Sequence, residues 1–386
     1  MKPIIPTNVE PFSPASDDSS DLYLSTFDSD SFDSDTFCVE KLQAAIAGNP
    51  ADLGILPAFR AVRSQFDIHV FKELTSTNAK LWDMLASGAP AGTVAIAKTQ
   101  TAGRGQRGRV WQSSSGGLYL SLALEPDWPA THIAQLTCIS AWGIATAFNQ
   151  LGIPIKVKWP NDLFFEGKKL GGILTETKLS YAHSDFAPVK NTLSSTVPRA
   201  ASLKAAGLKP TPYVKQAVVG VGLNGCNSVP ETAITLREIL ALLPAQTGKN
   251  KINCLEMLAA LVLKGILQGY LFQQRVGSQD FMKAYSDLLT QVGDVVSLES
   301  DWFNRAFDPE GALKRHLQDN ARQLEKCSGE VVGVSEEGYL KVALRDIPAT
   351  LANDLRKVSS DTLSSGSLDK SPGCITDILL IRPAGL

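Results

Sequence analysis

Three short segments concentrate cationic and amide side chains among glycines. The first, "TAGRGQRGRVWQ" (residues 101–112), carries Arg104, Arg107 and Arg109 between Gly103, Gly105 and Gly108. Its glycines spell G-x-G-x-x-G, and Glu125 closes the apolar run that follows. That is the outline of a dinucleotide fingerprint, in which glycines admit a pyrophosphate and an acidic residue holds a ribose. Such a turn must open a helix whose amides meet the pyrophosphate. Only "RVWQSSSGG" separates Gly108 from the next apolar run, and its three serines and two glycines make a poor crossover helix. The glycines are therefore expected in a loop between strands, with Glu125 at a strand end. Two readings of the arginines stay open. They are a clamp for anionic oxygens, since a guanidinium offers phosphate or carboxylate a bidentate fork, or a solvated basic turn.

The second segment is "KVKWPNDLF" (156–164). Lys156 and Lys158 alternate out of a strand, Trp159 and Pro160 stiffen its end, and Asn161 and Asp162 are expected on an exposed turn, where a ligand site can hold polar groups rigidly. The third is "KKLGGILTET" (168–177), where Lys168 and Lys169 precede two glycines that would let a ligand approach the backbone. A lysine pair is ordinarily solvated, and an Asn-Asp turn is ordinarily only a turn. Together, these cations and one carboxylate around a glycine-rich loop suit an anionic substrate accompanied by magnesium.

The elements that must position them follow from periodicity. Strands are predicted at 66–74, 92–100 and 116–126, with a short helix over 75–88 behind Ser and Thr capping residues. Residues 130–152 place Ile133, Leu136, Ile139 or Ser140, Ile144, Ala147 and Leu151 on one face of a long helix. Three short strands come next, with a turn at Glu166–Gly167, then a strand at 215–225. Between them the Ser/Pro/Lys-rich run 180–214 reads as a loop inserted into a hairpin. Helices are predicted at 231–245, 252–273 and 278–290. Short strands at 293–300, 328–344 and 375–383 suggest a small C-terminal β-barrel with a charged insertion at 301–327.

At 386 residues the chain exceeds one average domain, and 44% apolar residues suffice for a core. A net charge of −2 provides no global field toward nucleic acid or a membrane. The six cysteines show no CxxC spacing and the four histidines are scattered, so neither a zinc site nor a disulfide framework is expected, and reduced thiols suit a cytoplasmic protein. No stretch of about 20 apolar residues is expected, so no membrane span is predicted, and the acidic N-terminus does not read as a secretory or transit signal. Residues 1–37 are an acidic Ser/Asp-rich tail expected to be disordered, 38–65 a lead-in segment, 66–291 the chemistry-bearing domain and 292–386 the small barrel. The tail is not a helix-turn-helix module, so no DNA partner is expected.

Five blocks, "TSTN" (75–78), "TAGRGQRGRVW" (101–111), "VKWPND" (157–162), "KKLGGILTE" (168–176) and "VVGVGLNG" (218–225), occur in order and at suitable spacing. With them the chain resembles the biotin–protein ligases, also called biotin–[acetyl-CoA-carboxylase] ligases, over about residues 66–298; "KWPND" before "KLGGIL" is the most specific pair. The resemblance implies an α+β fold with a mixed, mainly antiparallel sheet and packed helices. It implies ATP with Mg2+, biotin as substrate, a biotin carboxyl carrier protein of acetyl-CoA carboxylase as partner, and a monomer or homodimer. The reaction would join the biotin carboxylate to the α-phosphate of ATP as biotinyl-5′-AMP and then pass the acyl group to a carrier lysine.

By the same resemblance Lys169 and Arg104 are catalytic. Ser76, Thr77, Asn78, Gln100, Arg104, Gly105, Gln106 and Lys169 would contact biotin. Arg107, Arg109, Trp111, Lys158, Asn161, Asp162 and Asn224 would face ATP, with Asp162 a candidate magnesium ligand. For several of these a structural reading competes: Ser76 or Thr77 as a helix cap, Trp111 as core, Asn224 as a strand end. Gln106 departs from the second basic residue that many members carry after "GRG", which would weaken retention of the activated intermediate. Lipoate or octanoate ligases, which share the fold and the carboxylate activation, are the nearest alternative, and "KWPND" favours biotin. A non-catalytic biotin-binding regulator is a further one.

Overall fold

The structure, a computed structural model, describes residues 7–9, 37–126, 128–180, 212–244, 251–297, 328–345 and 378–381. At its start β1 (Thr7–Val9) pairs antiparallel with β2 (Val62–Ser64). Of the 1–37 segment, residues 7–9 thus find a backbone ladder partner; residues 1–6 and 10–36 lie outside the described residues. The lead-in contains helix α1 (Val39–Ala47), with Leu42 fully buried.

The centre is an eight-stranded sheet built from β3 (Asp67–Leu74), β4 (Thr93–Gln100), β5 (Leu118–Leu124), the short β6 (Trp128–Pro129), β7 (Lys156–Lys158), β8 (Asp162–Phe165), β9 (Lys168–Ser180) and β10 (Tyr213–Leu223). Its order is β3-β4-β5-β10-β9-β8-β7, with β6 beside β10. Among its described pairs only β3 and β4 run parallel. A parallel pair needs a crossover, and helix α2 (Thr77–Ala86) supplies it. The fold is therefore α+β with a mixed, mainly antiparallel sheet. β8 and β9 join through Glu166 (φ 46°) and Gly167 (φ 80°), two left-handed residues of the kind a tight hairpin requires, at the predicted turn. β9 and β10 are antiparallel neighbours closed at Ser180↔Tyr213, as a hairpin with an insertion demands; residues 181–211 of that insertion lie outside the described residues.

One face of the sheet carries α2, whose Leu81 and Leu85 pack on Ala95, Ala123 and Val218. The other is covered by α3 (Ile133–Gln150) and α5 (Leu255–Ser286), which share the main buried cluster with Leu120, Leu122, Val219 and Val221. β5 is consequently buried at every position, and 14 of the 18 residues of α3 are buried rather than one face of it. The single-face reading of α3 fails because α5 lies across its outer side. α4 (Leu236–Leu242) is shorter than the predicted 231–245 and begins at a Thr235–Glu238 capping box.

The two helices expected at 252–273 and 278–290 form one element, α5, interrupted at Gly277 (φ 81°). This helix is long and apolar enough by length and composition to cross a membrane, contrary to the expectation that no such stretch exists. Of its apolar window 83% is buried inside the protein, against α3 and the sheet.

Near the C-terminus β11 (Val295–Ser297), β12 (Ser328–Val334), β13 (Leu340–Arg345) and β14 (Ile378–Ile381) make an antiparallel sheet in that order. Among the described residues it is an open four-stranded sheet, with no pairing of β11 to β14 that would close the expected barrel; residues 298–327 and 346–377 lie outside them. Val331, Val334, Leu340, Val342 and Ile381 join the main core cluster. Trp159 Nε1 donates to the Gly338 carbonyl at 3.1 Å, and the Gln135 amide donates to the Glu336 carbonyl.

Within α5, Lys264 is only 4% exposed, and its Nζ donates to the Val62 carbonyl at 3.0 Å. Burial, with the nearby Arg63 charge, lowers its pKa from 10.5 to about 8. The folded protein therefore disfavours the ammonium, and this penalty is fully present below pH 8 and relieved as pH rises toward 10.5. Replacing Lys264→Met is expected to remove this dependence. In urea titrations the stability gained by the variant over the native chain should shrink by about 3 kcal/mol across that window. A difference constant with pH would refute it.

Candidate active site

The site is written in strand register. On β10, Gly220 lies opposite Leu174 of β9 and Ser121 of β5, while Gly222 lies opposite Gly172 and Tyr119; Gly172 in turn faces Asp162 of β8. Residues directly opposed share a face. Val219 and Val221 are sent to the core, and Gly220 and Gly222 leave a bare trough on the α2 side. A Cβ at Gly220 would stand 2.2 Å from Asn78 Oδ1, and one at Gly222 would stand 2.5 Å from Trp111 Nε1. Asn78 and Trp111 therefore rest directly on strand backbone.

Around this trough lies a cavity of about 250 Å³. Of the residues singled out in the sequence, Ser76, Thr77, Asn78, Gln100, Arg104, Gly105, Gln106, Arg109, Trp111, Asn161, Asp162 and Lys169 line it. Arg107, Lys158 and Asn224 do not. Arg107 takes a left-handed turn at the loop tip (φ 61°). Lys158 places its Nζ 5.6 Å from the centroid of the Phe164 ring. Asn224 is buried and donates to the carbonyls of Lys169 (3.4 Å) and Ile234 (3.3 Å), so it braces the backbone behind the cavity.

The wall at the start of α2 is neutral and polar. Ser76, Thr77 and Asn78 are each at most 5% exposed. Ser76 is the N-cap residue but makes no side-chain cap bond; Gln100 Oε1 instead accepts the Thr77 amide at 2.8 Å. The Gln100 amide donates to Ser113 Oγ at 2.8 Å, joining the helix start to the returning arm of the arginine loop. Ser121 Oγ lies 2.6 Å from Asn78 Oδ1 and 2.8 Å from Thr77 Oγ1. Asn78 donates in turn to the Glu176 carboxylate at 2.9 Å. Every amide here is held in one orientation, as a binding wall for a polar ring requires.

The opposite side is charged. Between Leu163/Phe164 and their partners β9 slips, so that Leu163 faces Gly171 but Phe164 faces Lys169. This bulge changes the parity of β9 and turns Lys169 onto the Asp162 face. Its Nζ reaches Asp162 Oδ2 at 2.7 Å and stands 5.2 Å from the Trp111 ring centroid. The Lys169 backbone is clamped by Thr232 and Ile234 at 3.1 and 3.0 Å. Asn161, expected on an exposed turn, is 9% exposed and donates to the Ile173 carbonyl at 2.8 Å, because β8 and β9 fold its side chain under the turn. Trp111 Nε1 is a buried donor with no partner among the described residues.

The arginine loop contains no helix beyond a single 3-10 turn at Gln106–Gly108, so the dinucleotide reading has no structural basis. Arg104 forms a two-point ion pair with Glu176, Nη1 to Oε1 at 3.2 Å and Nη2 to Oε2 at 3.3 Å. Glu176, Ser121 and Ser113 are the site residues that sequence reasoning missed. The lone serine in the apolar run "LYLSLAL" was a usable signal for Ser121. Among the described residues no cluster of three or more His, Cys, Asp or Glu exists. The one carboxylate that lines the cavity among the described residues, Asp162, which is paired with Lys169, suits a magnesium ion that arrives with phosphate oxygens and keeps its waters, not one held in a protein cage.

Residues 70–184 match the Biotin/lipoate A/B protein ligase family. The bifunctional ligase/repressor BirA of Bacillus subtilis (strain 168) is 43% identical over 105 residues, 27% of this chain and 32% of that relative. The biotin–[acetyl-CoA-carboxylase] ligase of Paracoccus denitrificans is 37% identical over 105 residues, 26% of this chain and 43% of that relative. The matched stretch thus spans less than half the length of these relatives. Among solved structures, the biotin protein ligase from Aquifex aeolicus in complex with biotin and ATP is similar at 23% identity and a TM-score of 0.46, over 72% of this chain and 91% of that one.

The glycine trough predicts its own failure. Gly222→Ala is expected to lift Trp111 off the strand while leaving the fold intact, seen as a changed tryptophan emission that is absent when the same substitution is made in a Trp111→Phe background. Unchanged emission from the Gly222→Ala protein would show that the indole does not rest there.

Proposed function

We propose, from the match of residues 70–184 to the Biotin/lipoate A/B protein ligase family and from the geometry of the cavity, that the protein ligates biotin to a lysine of a biotin carboxyl carrier protein, using ATP. The observation that carries this reading is the division of the cavity. Locked amides and hydroxyls at Ser76–Asn78 and Gln100 form one wall, and Lys169, Arg104 and Arg109 bring positive charge to the rest. The polar wall suits the ureido ring of biotin, and the cations suit its carboxylate and a phosphate.

In the first step a biotin carboxylate oxygen attacks the α-phosphorus of ATP. The bond from that phosphorus to the bridging oxygen breaks, giving biotinyl-5′-AMP and pyrophosphate. Two anions must approach each other, so the barrier is largely electrostatic, and preorganised cations lower it. Lys169 is oriented for this by its backbone clamp and by Asp162, which it can exchange for an anionic ligand. A magnesium ion bound with the triphosphate, beside Asp162, would supply further charge neutralisation. Trp111, whose indole N–H is buried against Gly222, offers the nucleotide a ring face. In the second step the acceptor lysine amine attacks the acyl carbon and AMP leaves.

The repressor role in the name of the Bacillus subtilis relative is not carried over. The described residues ahead of β3 form one nine-residue helix, two short 3-10 turns and a strand pair, and residues 1–6 and 10–36 lie outside them.

Incubation with MgATP, labelled biotin and a biotin-acceptor domain should label the acceptor lysine, with excess unlabelled lipoate failing to compete. No label beside an active control ligase would overturn the proposal, and competition by lipoate would redirect it. Lys169→Ala is expected to slow pyrophosphate release on the order of 10²–10³-fold. Gln106→Arg, which adds a guanidinium at the cavity, should slow the escape of biotinyl-5′-AMP into solution.

A further inference from the structure

Glu176 lies on β9 opposite Val218, facing α2, and takes part in no step of the mechanism above. One carboxylate there gathers donors from two separate elements. Asn78 Nδ2 (2.9 Å) and Trp82 Nε1 (3.2 Å) approach from successive turns of α2. Both terminal nitrogens of Arg104 approach from the loop. The pair is half-screened from water, with the Glu176 side chain 27% exposed and that of Arg104 47% exposed. The backbone contacts at the loop tip are internal to it: the Gly105 amide donates to the Arg109 carbonyl at 2.8 Å, and Arg104 bridges to Val110. These contacts shape the tip, and the incoming arm is tied down where the Ala102 amide donates to the Thr75 carbonyl at 2.9 Å. The Arg104–Glu176 pair adds a charged side-chain tie from the tip to β9.

We infer that Glu176 is a positioning residue, a carboxylate clasp that seats Arg104 and its loop on the sheet before any ligand arrives. A guanidinium has five N–H donors, and the clasp engages two nitrogens from one side, leaving the remaining donors for the cavity that Arg104 lines. Because the same carboxylate holds the Asn78 amide, the neutral wall and the loop are set by one group. The clasp lowers the ordering cost that a ligand would otherwise meet on binding. Its removal should therefore weaken ligand capture and leave the chemical step alone, since in the bound state Arg104 has the ligand as a partner.

The test uses Glu176→Gln, which keeps an oxygen for Asn78 and Trp82 but removes the charge that holds Arg104. In the ligand-free protein, tryptic cleavage after Arg107 and Arg109, read by mass, should accelerate about fivefold. The KM for biotin should rise by a similar factor while kcat stays within about twofold. Arg104→Gln should accelerate cleavage equally, and the double variant should add nothing further. Unchanged cleavage in Glu176→Gln, or additive effects in the double variant, would overturn the clasp; if Glu176→Gln fails to fold, unchanged cleavage in Arg104→Gln does the same. The kinetic arm rests on the biotin reading, whereas the proteolysis arm does not. Accelerated cleavage in a protein that ligates no biotin keeps the clasp and removes the ligase.

Discussion

Lys169 meets Asp162 at 2.7 Å because β9 slips by one residue against β8. In a regular strand, side chains alternate, so Leu170 and not Lys169 would share the face of Gly172 and Asp162. The bulge sends Leu170 into the core, where it is fully buried, and gives the trough its cation. The rest of the site is arranged around that reversal. The Thr232–Ile234 segment clamps the bulged backbone, Asn224 braces it from behind, and Trp111 covers the ammonium from above. A flexible lysine is a poor electrostatic device unless its backbone and both flanks are fixed, since its rotamer freedom must otherwise be lost when it acts.

The polar wall depends on the same sheet through a different device. Ser121 is fully buried in a strand of leucines, which would be costly without partners, and Thr77 and Asn78 supply them. Those two residues start α2, whose leucines pack on small side chains of the sheet. Helix packing thus sets the height of the wall, and the hydrogen bonds set its orientation. Gln100 replaces the missing cap of Ser76, so the free amide at the helix start is satisfied by the strand that the crossover leads into.

The second sheet contributes from a distance. The turn Ser335–Tyr339 accepts the Trp159 indole N–H through Gly338 and the Gln135 amide through Glu336, while Tyr285 of α5 donates to the Pro160 carbonyl at 2.8 Å. The Trp-Pro step that precedes Asn161 and Asp162 is therefore held between the small sheet and the long helix. Asp162 sits on a strand end fixed from both sides, which is what a carboxylate beside a lysine needs to keep one position.

Residue types and order determined much by themselves. The five motif blocks placed the cations, the amides and the glycines of the site, and twelve of the fifteen singled-out residues line the cavity. The nine residues after Gly108 excluded a crossover helix, because serines and glycines cannot sustain one. The Glu166–Gly167 turn was legible because left-handed backbone favours such residues. What the sequence left undecided were contacts between segments far apart in the chain. Lys158 and Asn224 carry plausible chemistry yet point elsewhere, since strand parity and register are set by pairing partners. Glu176 ends a motif block but receives no role from it, because α2 and the arginine loop converge on it from about 100 and 70 positions away in the chain. The bulge that turns Lys169 inward leaves no mark in composition. It exists because burying Leu170 and satisfying the backbone with Thr232 and Ile234 is the arrangement that the packed sheet allows, and only the tertiary structure decides that.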